Sequence, residues 1–263
     1  MRYPWRCPAR CPASFATLLL AACLLAACSD TIVRVPPPQA SPAGLLAARQ
    51  LVLVITPAWD APSGGMRAFS RPGPDAPWRE DIPETAVGVG RSGLGWGRGL
   101  HGEPRTDGPA KREGDGRAPA GAFLLPLAYA APGAPGSPSF TVLPSSADLL
   151  CVDDAASTHY NRIVDKTAAV QDWNSSEDML RPDGLYRQVV LVDHNVSPAT
   201  PGGGSCIFLH IRRGPDSPTA GCTAMDATAL EALVAWLDSS AAPVLVQLPM
   251  MEYQRLRDAW RLP

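Results

Sequence analysis

The amino-acid sequence predicts a mainly β fold, a sandwich or barrel with a few helices. Short runs rich in Val, Leu and Ile have the length of strands. Loops rich in Pro and Gly separate these runs at irregular intervals. Regular helices do not alternate with the runs, as they would in a parallel α/β sheet, so the mainly β class is favoured.

The clearest predicted strand covers Gln50–Thr56, an apolar run that stops at Pro57. The Pro-Ser-Gly-Gly sequence at residues 62–65 predicts a turn, and a return strand is predicted at residues 66–70. The other predicted strands are residues 86–90, 121–125, 188–193, 205–211 and 244–248.

Two amphipathic helices are predicted near the C-terminal end. In residues 226–239 four apolar side chains recur at helical spacing and form one stripe: Leu230, Leu233, Val234 and Leu237. Asp226 is the predicted N-cap of this helix, and Pro243 follows its end. The second, weaker helix is predicted at residues 252–260. The first of these helices begins shortly after Cys222.

The first 27 residues have the pattern of a lipoprotein signal peptide. Arginines make the start positive, and a charge-free apolar run at residues 15–27 is too short to span a bilayer comfortably. The run ends in Leu-Ala-Ala-Cys, which resembles the lipobox of bacterial lipoproteins and predicts lipidation of Cys28. The same four letters also end at Cys23, and an ordinary cleaved leader is the remaining alternative.

Residues 28–49 are rich in proline and are predicted to tether a single domain, residues 50–263, to a membrane surface. By the sorting rules of lipoproteins, Ser29 favours the outer membrane, facing the periplasm. A monomer is expected, although the sequence does not set the oligomeric state.

The charge of the mature chain argues against a nucleic-acid partner. Removal of residues 1–27 takes away three arginines and no acids, which leaves 20 basic and 25 acidic residues and a net charge of −5. No basic stripe is present. Residues 88–93 match the dinucleotide pattern G-x-G-x-x-G, but the glycine-rich segment that follows would not form the required helix, so nucleotide binding is not expected.

Three cysteines remain after the leader: Cys151, Cys206 and Cys222. In an oxidising compartment the simplest assignment pairs Cys151 with Cys206 and leaves Cys222 as a free thiol. The alternative is that Cys151 and Cys206 are two buried, unpaired cysteines.

The predicted active site is the pair His210 and Cys222. An apolar strand carries His210, and a polar loop leads to Cys222 directly after Gly221. A thiol needs a base to become a thiolate at neutral pH, and histidine is the usual base. The amides of Gly221 and Cys222 are predicted to be free at this bend, where they would bind an oxyanion. The start of the following helix would help the thiolate modestly.

The other three histidines are predicted to be solvated: His101 in a Gly-rich loop, His159 in a polar turn and His194 at a strand end. A zinc site formed by His210, Cys222 and Cys206 is a further alternative, but no metal-ligand spacing supports it. No metal and no cofactor are therefore expected.

At these residues the chain resembles the L,D-transpeptidase catalytic-domain family of peptidoglycan enzymes. The family signature is a histidine, a loop and then [Ser/Thr]-His-Gly-Cys, onto which His210, Thr219, Gly221 and Cys222 fall. The chain departs from it where Ala220 replaces the inner histidine, where Thr-Ala replaces the tail pair, and in its short loop. These departures fit a T-A-G-C subgroup of the family.

Three upstream segments also resemble this subgroup: residues 90–97, residues 111–123 and residues 151–161, so the resemblance covers a core of about residues 86–250. It implies that a β fold presents the pair in a groove, where a backbone carbonyl orients the histidine. Ile211 and Thr219 are both candidates for that carbonyl.

The resemblance implies that Cys222 attacks a peptidoglycan stem tetrapeptide and that His210 moves the proton. An amine acceptor then resolves the thioacyl enzyme into a cross-link. Arg212 or Arg213 would grip a substrate carboxylate, and Trp96 would stack on sugar or pack internally. Two alternatives stay open: an L,D-carboxypeptidase, amidase or endopeptidase with the same site, and a non-catalytic wall-binding lipoprotein.

Overall fold

Residues 41–263 are described by the structure, a computed structural model. The predicted signal peptide, both candidate lipidation cysteines and most of the predicted tether lie outside the described residues. Within residues 41–263, no helix combines the length and the apolar character needed to cross a membrane.

The described chain contains fourteen strands, three α-helices and one 3₁₀ helix. The strands are β1 Gln50–Thr56, β2 Ser63–Ser70, β3 Arg79–Gly88, β4 Leu94–Trp96, β5 Ala118–Leu124, β6 Ala128–Ala130, β7 Val142–Pro144, β8 Leu149–Val152, β9 Ile163–Asp165, β10 Ser176–Asp178, β11 Gln188–Leu191, β12 Phe208–Ile211, β13 Thr223–Met225 and β14 Val244–Pro249. The helices are α1 Ala43–Ala47, α2 Ala227–Trp236 and α3 Met250–Leu256, and the 3₁₀ helix is Ser239–Ala241.

Eleven of these strands form one mixed sheet in the order β4-β5-β14-β1-β2-β3-β13-β12-β11-β6-β7, and three form a second sheet in the order β10-β8-β9. The prediction of a mainly β fold with a few helices is confirmed. The predicted strand at residues 205–211 is shorter than expected, because Cys206 has a φ of 54° and interrupts extended backbone before β12 begins at Phe208.

The core lies around β1 and β14, which pair in parallel and are almost entirely buried. Such strands read as continuous Val, Leu and Ile runs because both faces are covered. Helix α2 adds its apolar stripe to the same core, with Leu230, Leu233 and Val234 buried. Asp226 occupies the N-cap position but makes no capping hydrogen bond, because its carboxylate pairs with Arg212 instead.

The compact fold extends into the segment for which the sequence predicts a tether. Helix α1 packs on the core through buried Leu45 and Ala48. The buried guanidinium of Arg71, on the chain just after β2, donates hydrogen bonds to the carbonyl oxygens of Leu45, Leu46 and Ala48 at 2.7–3.1 Å. Residues 43–49 are thus fixed to the domain by a charged donor.

Replacement of Arg71 by Met is expected to lower the free energy of unfolding by about 2–4 kcal/mol, because buried carbonyl groups of the α1 segment lose a charged donor. The matched control is Arg67→Met in β2, which removes an exposed ion pair with Glu84. This change should lower the free energy of unfolding by about 0–1 kcal/mol. Urea denaturation measures both changes, and equal small effects would show that the α1 segment does not depend on Arg71.

Candidate active site

The parallel pairing of β12 with β13 brings the two predicted catalytic residues to one place. In the register of this pair, Leu209 lies opposite Thr223 and His210 lies opposite Ala224. Cys222 immediately precedes β13, and the backbone amide of Phe208 donates a hydrogen bond to its Sγ atom at 3.3 Å. The thiol is therefore held against the start of the strand that carries the imidazole.

His210 and Cys222 line the same cleft, whose volume is about 380 Å³. Residues of the loop 212–222 line the cleft, together with residues 111, 113 and 114, Glu177 of the second sheet and Asp153, which directly follows β8. The charged side chains that line the cleft are Arg91, Lys111, Glu113, Asp153, Glu177, Arg181, Arg212 and Arg213.

The imidazole of His210 is oriented by the backbone carbonyl of Ile211, which lies 2.8 Å from Nδ1. A carbonyl oxygen can only accept a hydrogen bond, so Nδ1 carries the proton and Nε2 of the neutral ring has a free lone pair. Burial lowers the pKa of His210 below its usual value, although the Ile211 carbonyl partly opposes this. His210 is thus a neutral base at pH 7. Of the two carbonyl groups expected to fill this role, Ile211 does so.

Cys222 is the free cysteine of the described chain, and its thiol is buried. Burial raises the pKa of the Cys222 thiol to about 12, and the nearby Glu177 carboxylate adds to the effect. The Phe208 amide and the Tyr186 hydroxyl act in the opposite direction without cancelling it. The resting nucleophile is therefore a neutral thiol, and it points toward the carbonyl of Cys206 at 3.5 Å.

No hydrogen bond joins His210 to Cys222 in the described part of the chain. The site is therefore a neutral imidazole and a neutral thiol that share a cleft, not a preformed ion pair. Hydrogen bonds of this kind often tighten only when substrate is bound. Proton transfer to His210 accordingly has to accompany the attack of sulfur on a bound carbonyl group.

One of the two amides predicted to bind the oxyanion is already engaged. The amide of Gly221 donates to the hydroxyl of Thr219 at 3.1 Å, and that hydroxyl donates to the carbonyl of Cys222 at 2.6 Å. Thr219 thus closes the turn that presents the cysteine. The Cys222 amide donates no hydrogen bond to any residue from 41 to 263, so it is the amide available for an oxyanion.

The glycine-rich pattern at residues 88–93 supports the cysteine loop. The amide of Thr219 donates to the carbonyl of Val89, and the amide of Arg91 donates to the carbonyl of Thr219, both at 2.9 Å. A Cβ atom on Gly90 would lie 2.3 Å from the carbonyl oxygen of Gly116, so only glycine permits this close approach of backbones. The pattern has a structural role here that a nucleotide-binding motif does not explain.

Two side chains beside the thiol were missed by the sequence analysis. The Tyr186 ring lies edge-on to the His210 ring, with 5.2 Å between centroids, and its hydroxyl donates to Glu177 at 2.7 Å. Burial raises the pKa of Glu177, and the Tyr186 hydrogen bond opposes this. Tyr186 precedes β11 and Glu177 lies in three-residue β10, and neither position carries a motif that would reveal it.

A disulfide joins Cys151 of β8 to Cys206, the pairing assigned from the cysteine count. It ties the second sheet to the segment whose carbonyl faces the Cys222 thiol. In β10, Glu177 lies directly opposite Cys151. The crosslink therefore fixes the position of the carboxylate relative to the nucleophile.

The arginines predicted to bind substrate differ in their availability. Arg212 makes two hydrogen bonds to Asp226, at 2.6 and 2.7 Å, which occupies its guanidinium. Arg213 is more exposed, with a single 3.2 Å contact to Asp183. Arg91, which the sequence analysis did not consider, also lines the cleft and is exposed. Arg213 and Arg91 are thus better placed than Arg212 to meet a carboxylate.

Trp96 is completely buried and packs edge-on against Trp59, so of the two roles expected for it the structure shows internal packing and not stacking on sugar. The prediction that the other histidines are solvated is wrong for two of them. His101 and His194 are buried and bonded to backbone groups, and burial lowers the pKa of His194 to about 3. His159 is partly exposed and pairs with Asp172.

In residues 41–263, no group of three or more His, Cys, Asp or Glu side chains is arranged to hold a metal ion. A thiol and a carbonyl-oriented imidazole in one cleft of a β fold define a cysteine acyl-transfer type of site. A family model, the L,D-transpeptidase catalytic domain (YkuD), matches residues 66–246.

The chain therefore belongs to the L,D-transpeptidase catalytic-domain family, whose members are cysteine-dependent transpeptidases acting on peptidoglycan stem peptides. The predicted family is confirmed, and the matched region begins in β2, earlier than the expected residue 86. Comparison with curated proteins and with solved structures gave no significant match.

Two reactions of Cys222 should depend differently on pH. Acylation by a carbapenem uses neutral His210 as base, so its rate should stay level from pH 8 to 6.5 and fall only as His210 becomes protonated at lower pH. Alkylation by iodoacetamide needs free thiolate, so its rate should rise about tenfold per pH unit between 7 and 9. Stopped-flow and mass-spectrometric measurements of both rates as a function of pH test this difference. A shared plateau above pH 7 would mean that a thiolate is already present at rest.

Removal of the disulfide by the double change Cys151→Ser and Cys206→Ser is expected to lower the free energy of unfolding by about 2–4 kcal/mol, because the crosslink closes a long loop, with a sequence separation of 55. Carbapenem acylation should slow as well, since the second sheet loses its link to Cys222. Thermal denaturation measures the stability of the double variant. The control is Cys222→Ser, which removes the nucleophile but keeps the crosslink, and so it should not show the loss of stability. Thiol counting on the unfolded, unreduced domain should find one free sulfhydryl.

Proposed function

We propose that this protein is a peptidoglycan L,D-transpeptidase that forms a thioacyl intermediate on Cys222. The observation that carries the proposal is the 2.8 Å contact between His210 Nδ1 and the Ile211 carbonyl, because it leaves Nε2 as a base in the cleft that holds the thiol. Membership of a family of cysteine-dependent transpeptidases supports the same chemistry.

The proposed first half-reaction acylates the enzyme. Cys222 attacks the carbonyl between the L-centre of diaminopimelate and the terminal D-Ala of a stem tetrapeptide. His210 accepts the thiol proton and passes it to the leaving D-Ala amine, and the Cys222 amide donates to the developing oxyanion. This concerted route suits a thiol whose pKa burial raises to about 12, because no free thiolate has to accumulate.

In the proposed second half-reaction, the amine of another stem peptide attacks the thioester, and His210 accepts its proton. Sulfur leaves and regains the proton through the same imidazole. The product is a cross-link between two stems. Arg213 and Arg91 are the candidates for holding stem carboxylates, because both line the cleft and neither has a bidentate acidic partner in residues 41–263.

We also propose that the protein works in the periplasm, held to the outer membrane by a lipid on Cys28. This part rests on the sequence of the first 29 residues alone. Globomycin treatment of expressing cells, which blocks lipoprotein signal peptidase, should cause the unprocessed form to accumulate. The Cys28→Ser variant should give the same result, whereas Cys23→Ser should be processed normally.

The transpeptidase assay uses a soluble protein of residues 29–263, which contains all of the described fold. Purified tetrapeptide muropeptides are incubated with it, and products are followed by mass spectrometry. Cross-linked dimers are expected from the unchanged sequence and none from Cys222→Ala. His210→Gln should be slower by about 10²–10⁴-fold, since the general base is lost. His159→Gln is the matched control, because His159 does not line the cleft.

The products separate the remaining alternatives. Tripeptides without dimers would replace the transferase by an L,D-carboxypeptidase with the same site. Release of stems or attached proteins from intact sacculi, with no dimer, would indicate an amidase or endopeptidase. Binding to sacculi without turnover would indicate a non-catalytic wall-binding protein. A carbapenem adduct on a residue other than Cys222 would contradict the assigned nucleophile.

A further inference from the structure

One wall of the cleft carries three carboxylates beside the thiol, and we call Glu113, Asp153 and Glu177 the acidic wall. A carboxylate next to a nucleophilic thiol opposes thiolate formation, because two negative charges would then lie together in a buried place. The Glu177 carboxylate raises the pKa of Cys222 in this way. Glu177 therefore does not activate the thiol in the free protein, and its position beside Cys222 needs another explanation.

Two of the cations that line the cleft, Arg181 and Lys111, are already paired. Arg181 makes two hydrogen bonds to Asp183, at 2.7 and 3.1 Å. Lys111 is buried and donates to Asp115 at 2.9 Å. Neither cation donates a hydrogen bond to Glu177, whose partner within residues 41–263 is the Tyr186 hydroxyl at 2.7 Å.

The three carboxylates differ in what satisfies them. Glu113 accepts hydrogen bonds from the hydroxyl groups of Tyr160 and Ser205, both at 2.6 Å, so it acts as a brace between loops. The Oδ1 atom of Asp153 is buried and has no hydrogen-bond partner in the described chain. Glu177 accepts one hydrogen bond, from Tyr186, and so keeps acceptor capacity in the cleft that holds Cys222. Asp153, which lines the same cleft, carries a buried acceptor without a donor, and such an acceptor is costly.

We propose that Glu177, with Asp153, binds the primary ammonium group of the acceptor and thereby selects cationic amines at Cys222. The inference deepens the proposed function, on which it rests for the source of the ammonium: the free amino group of diaminopimelate in the second stem peptide. An ammonium group is a compact donor of three hydrogen bonds, which suits two separate carboxylates.

Tyr186 is a positioning residue in this arrangement. Its hydroxyl fixes one oxygen of Glu177, while its ring packs against His210. The amine held by Glu177 is thus placed on the same side of the cleft as the base that has to accept its proton. The bound ammonium first gives one proton to Glu177, and the neutral amine then attacks the thioester. His210 takes the second proton, which passes to the leaving sulfur.

The test compares three methanethiosulfonate reagents of different charge: aminoethyl (cationic), methyl (neutral) and sulfonatoethyl (anionic). In each reaction the sulfur of Cys222 forms a mixed disulfide and methanesulfinate leaves, so no transpeptidase activity is needed. Rates on the 29–263 protein are divided by the rates on N-acetylcysteine, in 150 mM salt to screen distant charges. The normalised rates should fall in the order cationic, neutral, anionic, with about tenfold between the first two.

Glu177→Gln keeps the shape and the hydrogen-bonding capacity toward Tyr186, and it should reduce the cationic preference about fivefold or more. The matched control is Asp178→Asn, the next residue of β10, which is exposed and lies on the opposite face of the strand. This variant should leave the preference unchanged. Thermal denaturation checks that both variants are folded.

The order of the three normalised rates is measured on the unchanged protein, so this result does not depend on whether a variant folds. An anionic or neutral preference there would overturn the proposal, as would a cationic preference that survives Glu177→Gln or that Asp178→Asn reduces equally. If the cationic preference holds but muropeptides give no dimers, the ammonium site stands and the transpeptidase assignment fails.

Discussion

The parallel pairing of β12 with β13 is the constraint on which the site depends. Neighbouring parallel strands require a crossover, and here the crossover is the short polar segment of residues 212–222. A connection of this length cannot contain a covering helix, so it lies beside the sheet and becomes a wall of the cleft. The same pairing fixes the imidazole on β12 and the thiol directly before the adjacent strand β13.

Burial sets the kind of chemistry that this pair can perform. The thiol and the imidazole are both shielded from water, and both charged forms are disfavoured, as the pKa shifts of Cys222 and His210 show. A resting thiolate–imidazolium pair is therefore not the starting state. Charge has to be created when a substrate is present, and the free Cys222 amide is the group placed to reduce its cost.

Features that are local in sequence could be predicted, and features that depend on distant pairing could not. The apolar run of β1, the stripe of α2 and the pair of His210 and Cys222 each depend on residues within one short segment. Tyr186 and Glu177 reach the thiol only because two sheets meet there. The amide of Gly221 was predicted to be free, but it donates a hydrogen bond to the Thr219 hydroxyl. That contact depends on the shape of the turn, which the sequence does not give.

With the proposed role of Glu177, the second sheet would carry selectivity and the main sheet catalysis. Strand β10 supplies Glu177 and the residue after β8 is Asp153, while the main sheet supplies His210 and the start of β13 follows Cys222. The disulfide from Cys151 to Cys206 is the covalent link between these two parts, and Cys206 directly contacts the nucleophile through its carbonyl. Apart from this crosslink and the Tyr186–Glu177 hydrogen bond, the side chains of β8 and β10 belong to a different sheet from the base and the nucleophile. Differences in acceptor among proteins built on this fold are accordingly expected in the second sheet, at the positions that face the thiol.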